Sequence, residues 1–382
     1  MNQSLKNNRV DVVDALRGFA VAAILLLHFV EHFIYNIYPE SATETSKLIN
    51  QGVWDSMFFL LGGKSYAIFA LLFGFTFIIQ QRNQENKGGD FGGRFAWRLI
   101  LLSLFATINA AFFPGGDVLL LFTITGVIMI PFRKLSEKWL LTGAIFFLIQ
   151  PIEWLSSFGI NIIPSLPVGE YYQIVTDATA SGNFGQMVWA NITTGQIASL
   201  FWAIDAGRFC QTIGLLLMGM LIARGNYFTK GIEFWTKVFI IGILGGFIFY
   251  IAKGSATGVV KNIFTMWFNL SFTSIIISIF VILYNDESFR NICSGLRIYG
   301  KMSLTNYISQ SIIGSIIFFP YALGLAPHLN IAFSLAVGVI VMLLQIKFCQ
   351  YWLKSNKQGP LENIWKQMTW IFSKKKSSTV IA

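Results

Sequence analysis

Long apolar runs alternate with short charged or Gly/Pro-rich breaks along the whole chain, near residues 12–36, 56–81, 94–113, 118–132, 138–154, 207–224, 235–253, 262–284, 302–320 and 330–353. A bilayer core of about 30 Å takes about 20 apolar residues in a helix, and backbone left unpaired in lipid is prohibitive, so such runs predict membrane-spanning helices. The pattern predicts an all-α, polytopic transmembrane helix bundle of about ten helices, with residues 1–353 forming one domain. The fourth and fifth runs are the shortest, which makes eight crossings the alternative count.

The breaks themselves carry a second signal. Basic residues collect in alternate loops: Lys6 and Arg9; Arg82, Lys87 and Arg94; Arg133, Lys134 and Lys138; Arg224, Lys230 and Lys237; Arg290, Arg297 and Lys301; Lys354, Lys357 and Lys374 to Lys376. The loops between them are poor in Lys and Arg, so the positive-inside rule places both termini in the cytoplasm. The extracytoplasmic segment near 155–206 has no Lys or Arg yet carries Phe184, Trp189, Phe201 and Trp202, and is expected to lie in the interface or cap the bundle. The tail 354–382, with Trp365 and Trp370 among its lysines, is expected to lie along the inner leaflet.

Composition agrees with a lipid environment: 54% of residues are hydrophobic and 12% are charged, against about 25% charged in a soluble domain. The net charge of +10 is dispersed over loops rather than gathered into a basic patch, which argues against a nucleic-acid partner. Cys210, Cys293 and Cys349 are far apart and odd in number, and with three His residues they form no metal-ligand spacing. The first apolar run contains Glu31 and His32 and lacks a cleavage pattern, so it is expected to stay in the mature protein.

The first helix carries the sharpest chemical signal. If it is continuous, Asp14, Arg17, His28, Glu31 and His32 fall within an arc of roughly 100° on an otherwise apolar cylinder. Ionisable groups at membrane depth are costly and usually face a cavity or a partner; the bland alternative is anchoring at the helix ends. Arg17 and His28 are eleven positions apart, about 16 Å of rise. Lys64, after Gly62 and Gly63, is expected at the depth of His28 and on the same pocket, with snorkelling as its structural alternative.

These residues also carry a family resemblance. Asp14-Ala-Leu-Arg17-Gly18, Ile68-Phe-Ala-Leu-Leu-Phe-Gly74, the block Tyr299 to Gln310, and Gly359-Pro-Leu-Glu362-Asn-Ile-Trp365 together resemble the YeiB-like bacterial membrane proteins, a domain of unknown function (418). The first helix is also similar to that of the acyltransferase-3 and heparan-glucosaminide acetyltransferase families. There an Arg followed eleven positions later by His accompanies acyl transfer to an extracytoplasmic sugar or lipid. The resemblance implies a multi-pass protein of the bacterial cytoplasmic (inner) membrane acting in the cell envelope.

The leading expectation is therefore a transmembrane O- or N-acyltransferase with cytosolic acyl-CoA as donor and no metal. His28 would be the base or acyl carrier, with Asp14, Arg17 and Glu31 in support. Arg17 with the i,i+4 pair Arg94 and Arg98 would receive the donor's phosphates, the alternative for that pair being topology alone. Lys64, His32, Asp205, Arg208, Tyr307 and Gln310 would bind the acceptor, as would Asp117, although loop solvation or interhelical bonding is the structural alternative for these polar groups. Membrane lipids and a small-molecule or glycan acceptor are the expected partners, and self-association stays open. The competing class is a secondary transporter using the same polar seam and titratable histidines.

Overall fold

The computed structural model describes residues 10–41, 43–86, 91–113 and 118–371. Lys6, Arg9, Lys87, Asp117 and Lys374 to Lys376 lie outside the described residues. Among those described, no β-strand occurs. The chain runs through α1 (Asp11–Val30), α2 (Glu44–Leu60), α3 (Lys64–Glu85), α4 (Gly92–Phe112), α5 (Val118–Phe132), α6 (Glu137–Leu148) and α7 (Pro151–Ser157). It continues through α8 (Val168–Ala180), α9 (Phe184–Ala190), α10 (Gln196–Asp205), α11 (Arg208–Arg224), α12 (Ile232–Ser255) and α13 (Gly258–Leu283). The last elements are α14 (Glu287–Ile292), α15 (Ser294–Lys301), α16 (Ser303–Phe318), α17 (Ile331–Ser355) and α18 (Pro360–Trp370).

Each of the ten apolar runs is helical, but the count of crossings is lower. Seven helical stretches are long and apolar enough to span a membrane, and the pair Phe184–Asp205 and Arg208–Arg224, bent by 78°, makes an eighth. Helices α5 and α16 have 15 and 16 residues, short of the about 20 that a bilayer core takes. The chain is thus an all-α, multi-pass membrane protein with seven or eight candidate spans.

Position in the bundle follows from burial. In α1, 78% of the apolar window is buried, against 17% in α12, so α1 is the central helix and α12 a peripheral one. Close packing without a hydrophobic drive between helices uses small residues, and α1 does so at its inner turns. A Cβ on Gly18 would stand 1.9 Å from the carbonyl oxygen of Leu296, and one on Gly300 the same distance from that of Asp14. Helices α3 and α11 repeat the device through Gly74 and Gly219. Start signals follow ordinary capping chemistry: Thr43, Asn183, Asp286 and Asn330 each accept a backbone N–H of the first turn of α2, α9, α14 and α17.

Helix α18 is strapped across the start of α16. The Glu362 carboxylate accepts from the backbone N–H of Leu304 at 2.7 Å and of Thr305 at 3.1 Å, and from the Thr305 hydroxyl at 2.6 Å. Burial raises its carboxyl above the ordinary range even so. Because α15 leads directly into α16 and packs on the first turns of α1, the beginning of α1 and helix α18 lie at one end of the bundle.

Candidate functional site

At the opposite end of α1 the chain leaves the helix abruptly. His32, Phe33 and Ile34 have φ of 47°, 57° and 68°, a left-handed run that costs a non-glycine residue about 1–2 kcal/mol each. Phe33 offsets this by packing: it is fully buried, meets Phe29, Phe113 and Phe318 at ring distances of 5.4, 5.6 and 6.2 Å, and fills the space a Cβ on Gly314 would need. The continuous helix 12–36 expected from the sequence therefore ends at Val30, and the five-residue stripe is cut.

The break sends His28 and His32 to different places. His32 is fully buried, with Nδ1 2.8 Å from the Ile37 carbonyl and Nε2 2.6 Å from the Ser334 hydroxyl. The carbonyl can only accept, so Nδ1 carries the proton and Nε2 accepts from Ser334. Its ring is stacked on Phe318 at 4.4 Å. Both nitrogens being occupied by the scaffold, His32 pins α17 to the turn after α1 and does not reach the cavity, contrary to the substrate-binding role expected of it.

His28 instead faces a cavity of about 540 Å³ enclosed by α1, the α2–α3 junction, α8, the α10–α11 bend and α16. Its ring lies 4.6 Å from that of Phe113 and 6.5 Å from that of Tyr307, and its buried Nδ1 makes no hydrogen bond among the described residues. Glu31, Tyr66, Tyr172, Arg208 and Tyr307 share the wall. Burial raises the Glu31 carboxyl to about 7, and Tyr172, raised first by burial and then by the Glu31 charge, is its neighbour. Tyr172, Thr176 and Trp202 come from the 155–206 segment, whose helices close this side of the cavity. Tyr172 was not foreseen, since nothing in an amphipathic loop helix says which residue meets a distant wall.

Arg208 follows Gly207 (φ 66°) at the first position of α11, beyond the 78° bend. Its guanidinium donates to Gln211 at 2.6 Å and lies 5.4 and 5.9 Å from the rings of Tyr66 and Trp202. Tyr66 is hydrogen-bonded to Thr212 of the same helix. Asp205, expected beside Arg208, is exposed before the bend and lies outside the cavity lining.

Lys64 is close to the cavity but turned from it. Its neighbours Gly63 and Ser65 line the wall, whereas its ammonium donates to the Phe58 carbonyl at 3.4 Å and lies 5.5–5.7 Å from the rings of Phe59, Phe268 and Phe272. A sequence period fixes the depth of a residue but not this rotation. Gln310 sits fully buried with neither amide atom bonded, one turn beyond Tyr307 and outside the lining. Asn109 of α4 shares that condition and was overlooked as one amide in an apolar run. The other polar groups of α16 hold the bundle together: Asn306 donates to Tyr299 at 3.0 Å, and Gln345 of α17 donates to Ser309 at 2.8 Å.

The remaining arginines divide into two sets. Arg17 donates to Asp14 at 3.0 Å and to Thr76 of α3 at 2.8 Å, tying α1 to α3. Arg94 and Arg98 border a separate cavity of about 290 Å³ with Lys366 of α18, lying 3.9 Å over Trp370 and 4.2 Å over Trp365 respectively. Arg17 is not part of that lining, so the three-arginine cluster expected from sequence is a pair joined by Lys366. Buried Nε and Nη1 of Arg94 and Nε of Arg98 make no hydrogen bond among the described residues. Among the described residues no three His, Cys, Asp or Glu side chains converge as a metal site.

Two family models each match part of the chain. Residues 9–166 match the model of the heparan-alpha-glucosaminide N-acetyltransferase catalytic family, and residues 222–372 that of the protein family of unknown function DUF418. The chain is similar to YxaH of Bacillus subtilis strain 168, an uncharacterized protein, at 26% identity over 97% of this chain and 96% of its relative. It is likewise similar to an uncharacterized 39.9 kDa protein of Bacillus acidopullulyticus at 25% identity, over 95% and 94%. YeiB of Escherichia coli strain K12, also uncharacterized, is 23% identical over 94% and 95%. No solved structure matches. His28, Glu31, Arg94 and Arg98 fall in the first matched range and Tyr307 in the second, while Arg208 falls in neither. The catalytic match suggests a membrane acyltransferase-like activity, and the chain is a multi-pass membrane protein similar to YeiB, with a DUF418-like C-terminal part.

Proposed function

We propose that the chain transfers an acyl group from acyl-CoA to a hydroxyl or amine of an extracytoplasmic sugar, lipid or other small acceptor, with His28 as the reacting base. The observation that carries this reading is the placement of His28: an imidazole whose Nδ1 has no partner among the described residues, packed on Phe113 in the lining of the cavity. The imidazole takes the acceptor's proton as its oxygen or nitrogen attacks the thioester carbon, the C–S bond breaks, and the proton passes to the departing thiolate. Glu31 and Tyr307 line the same wall and orient the acceptor.

The donor's phosphates belong at Arg94, Arg98 and Lys366, three cationic side chains bordering a cavity that has no carboxylate among the described residues of its lining. Topology needs a positive charge at that end of the bundle, but not guanidinium nitrogens buried without acceptors. From Arg98 to Phe113 beside His28 is fifteen positions along α4, about 22 Å of rise. An extended phosphopantetheine arm spans a distance of that order. In this reading the α18 end faces the cytoplasm of a bacterial inner membrane and the His28 cavity faces outward.

A transport reading has one observation in its favour: the cavity sits at the broken helix α10–α11, and discontinuous helices line solute sites in secondary transporters. Purified protein in liposomes with radiolabelled acyl-CoA separates the two. Label appearing on an added sugar or lipid acceptor supports transfer, and movement of an unmodified solute without transfer supports transport.

A further inference from the structure

The His28 cavity has one permanently charged wall. Arg208 lies across one side of it, and among the described residues the other charged side chain in the lining is Glu31. Among the described residues no carboxylate forms an ion pair with Arg208; its polar partner there is the neutral amide of Gln211. Glu31 lines the same cavity but forms no ion pair with Arg208. Glu153, the carboxylate packed against Gly207, lines a different and smaller cavity with Cys210.

Positive charge is deepened rather than relieved behind this wall. A Cβ on Gly63 would stand 3.4 Å from Nη2 of Arg208, and the next residue is Lys64. Lys253 shares the Phe268 ring with Lys64, at 4.0 and 5.6 Å. No carboxylate among the described residues is paired with either lysine. A guanidinium desolvated in this way costs several kcal/mol unless an anion completes its environment.

We infer that the acceptor taken by this cavity is anionic, carrying a phosphate or carboxylate group that Arg208 binds while a hydroxyl or amine of the same molecule is presented to His28. The guanidinium fork accepts either group in a two-bonded geometry, and the flanking rings of Tyr66 and Trp202 give a sugar or polyol body a surface to lie on. This specificity rests on the acyl-transfer reading only for the word acceptor; the anion site itself does not depend on any chemistry at His28.

The test is binding without acyl donor, so that it stands apart from any transfer result. Isothermal titration of the purified full chain with glycerol 3-phosphate and galacturonate, against glycerol and galactose, is expected to show saturable binding for the two anions alone. Arg208→Gln should weaken that binding at least tenfold, and Arg208→Lys, which keeps the charge, should weaken it less. Equal binding of charged and neutral probes, or unchanged affinity in Arg208→Gln, would overturn the proposal. So would anion binding that appears only in Asp117→Asn, because Arg208 would then already be neutralised by the residue preceding Val118 of the wall. A response to phosphate but not carboxylate, or the reverse, assigns the acceptor's group.

Discussion

The His28 ring lies 4.6 Å from that of Phe113, while His32, four positions on, is bonded through both ring nitrogens to Ile37 and Ser334. Two histidines of one helix end therefore have separate duties, and substitution separates them. His28→Ala is expected to abolish acyl transfer, with a loss of stability limited to the ring's packing on Phe113 and Tyr307, since Nδ1 has no hydrogen bond among the described residues. Full transfer activity in this variant would remove the proposed base.

His32→Ala should do the reverse. It deletes two buried hydrogen bonds and leaves the Ser334 hydroxyl unpaired, a cost of about 1–3 kcal/mol. The unfolding midpoint falls, and the residual folded protein retains its turnover per active molecule. A turnover loss at unchanged stability would show that His32 contacts substrate.

Arg17 and Asp14 form a pair with side chains 18% and 4% exposed. Arg17→Ala removes one side of this largely buried ion pair, a loss expected to lower stability by about 3–5 kcal/mol. The double variant Arg17→Gln with Asp14→Asn should recover much of that loss in a denaturation curve. If the double variant recovered stability and kept full transfer activity, Arg17 would be a tie between α1 and α3 and nothing more. Its bond to Thr76 predicts that outcome.

Glu31 sets a pH signature. Its ordinary carboxyl value is 4.5 and burial raises it to about 7, so between these values the folded protein holds a proton that the unfolded chain has released. Folding stability attributable to Glu31 is therefore full below pH 4.5, declines as pH rises through the interval, and levels off above about 7. Glu31→Gln should flatten that part of the stability profile and remove an inflection near pH 7 from the transfer rate. An identical profile in the variant would contradict the shift.

Much of this was written in the apolar pattern, and the exceptions have physical reasons. Helix positions followed from runs of apolar residues because lipid permits little else, and the pairing of Arg94 with Arg98 followed from i,i+4 spacing. Their stacking on Trp370 and Trp365 did not, since it depends on where α18 docks some 270 positions later. The end of α1 was misplaced because no Gly or Pro marks it. The left-handed turn at His32 to Ile34 exists only because Phe33 finds its socket at Gly314, which belongs to another helix. Lys64 was placed at the right depth and the wrong azimuth, aromatic rings of α2 and α13 drawing it out of the cavity wall.

Acyl transfer by His28 inside the cavity is read out by the transfer of radiolabelled acetyl from acetyl-CoA to an anionic polyol or sugar acceptor by the purified chain in liposomes, for the wild type and for His28→Ala. Labelled acceptor is expected from the wild type, with a loss of at least about a hundredfold in the variant, in line with the typical contribution of a general base. Equal labelling by both proteins, or no labelled acceptor alongside uptake of the unmodified compound, would rule out His28 as the base of an acyl transfer.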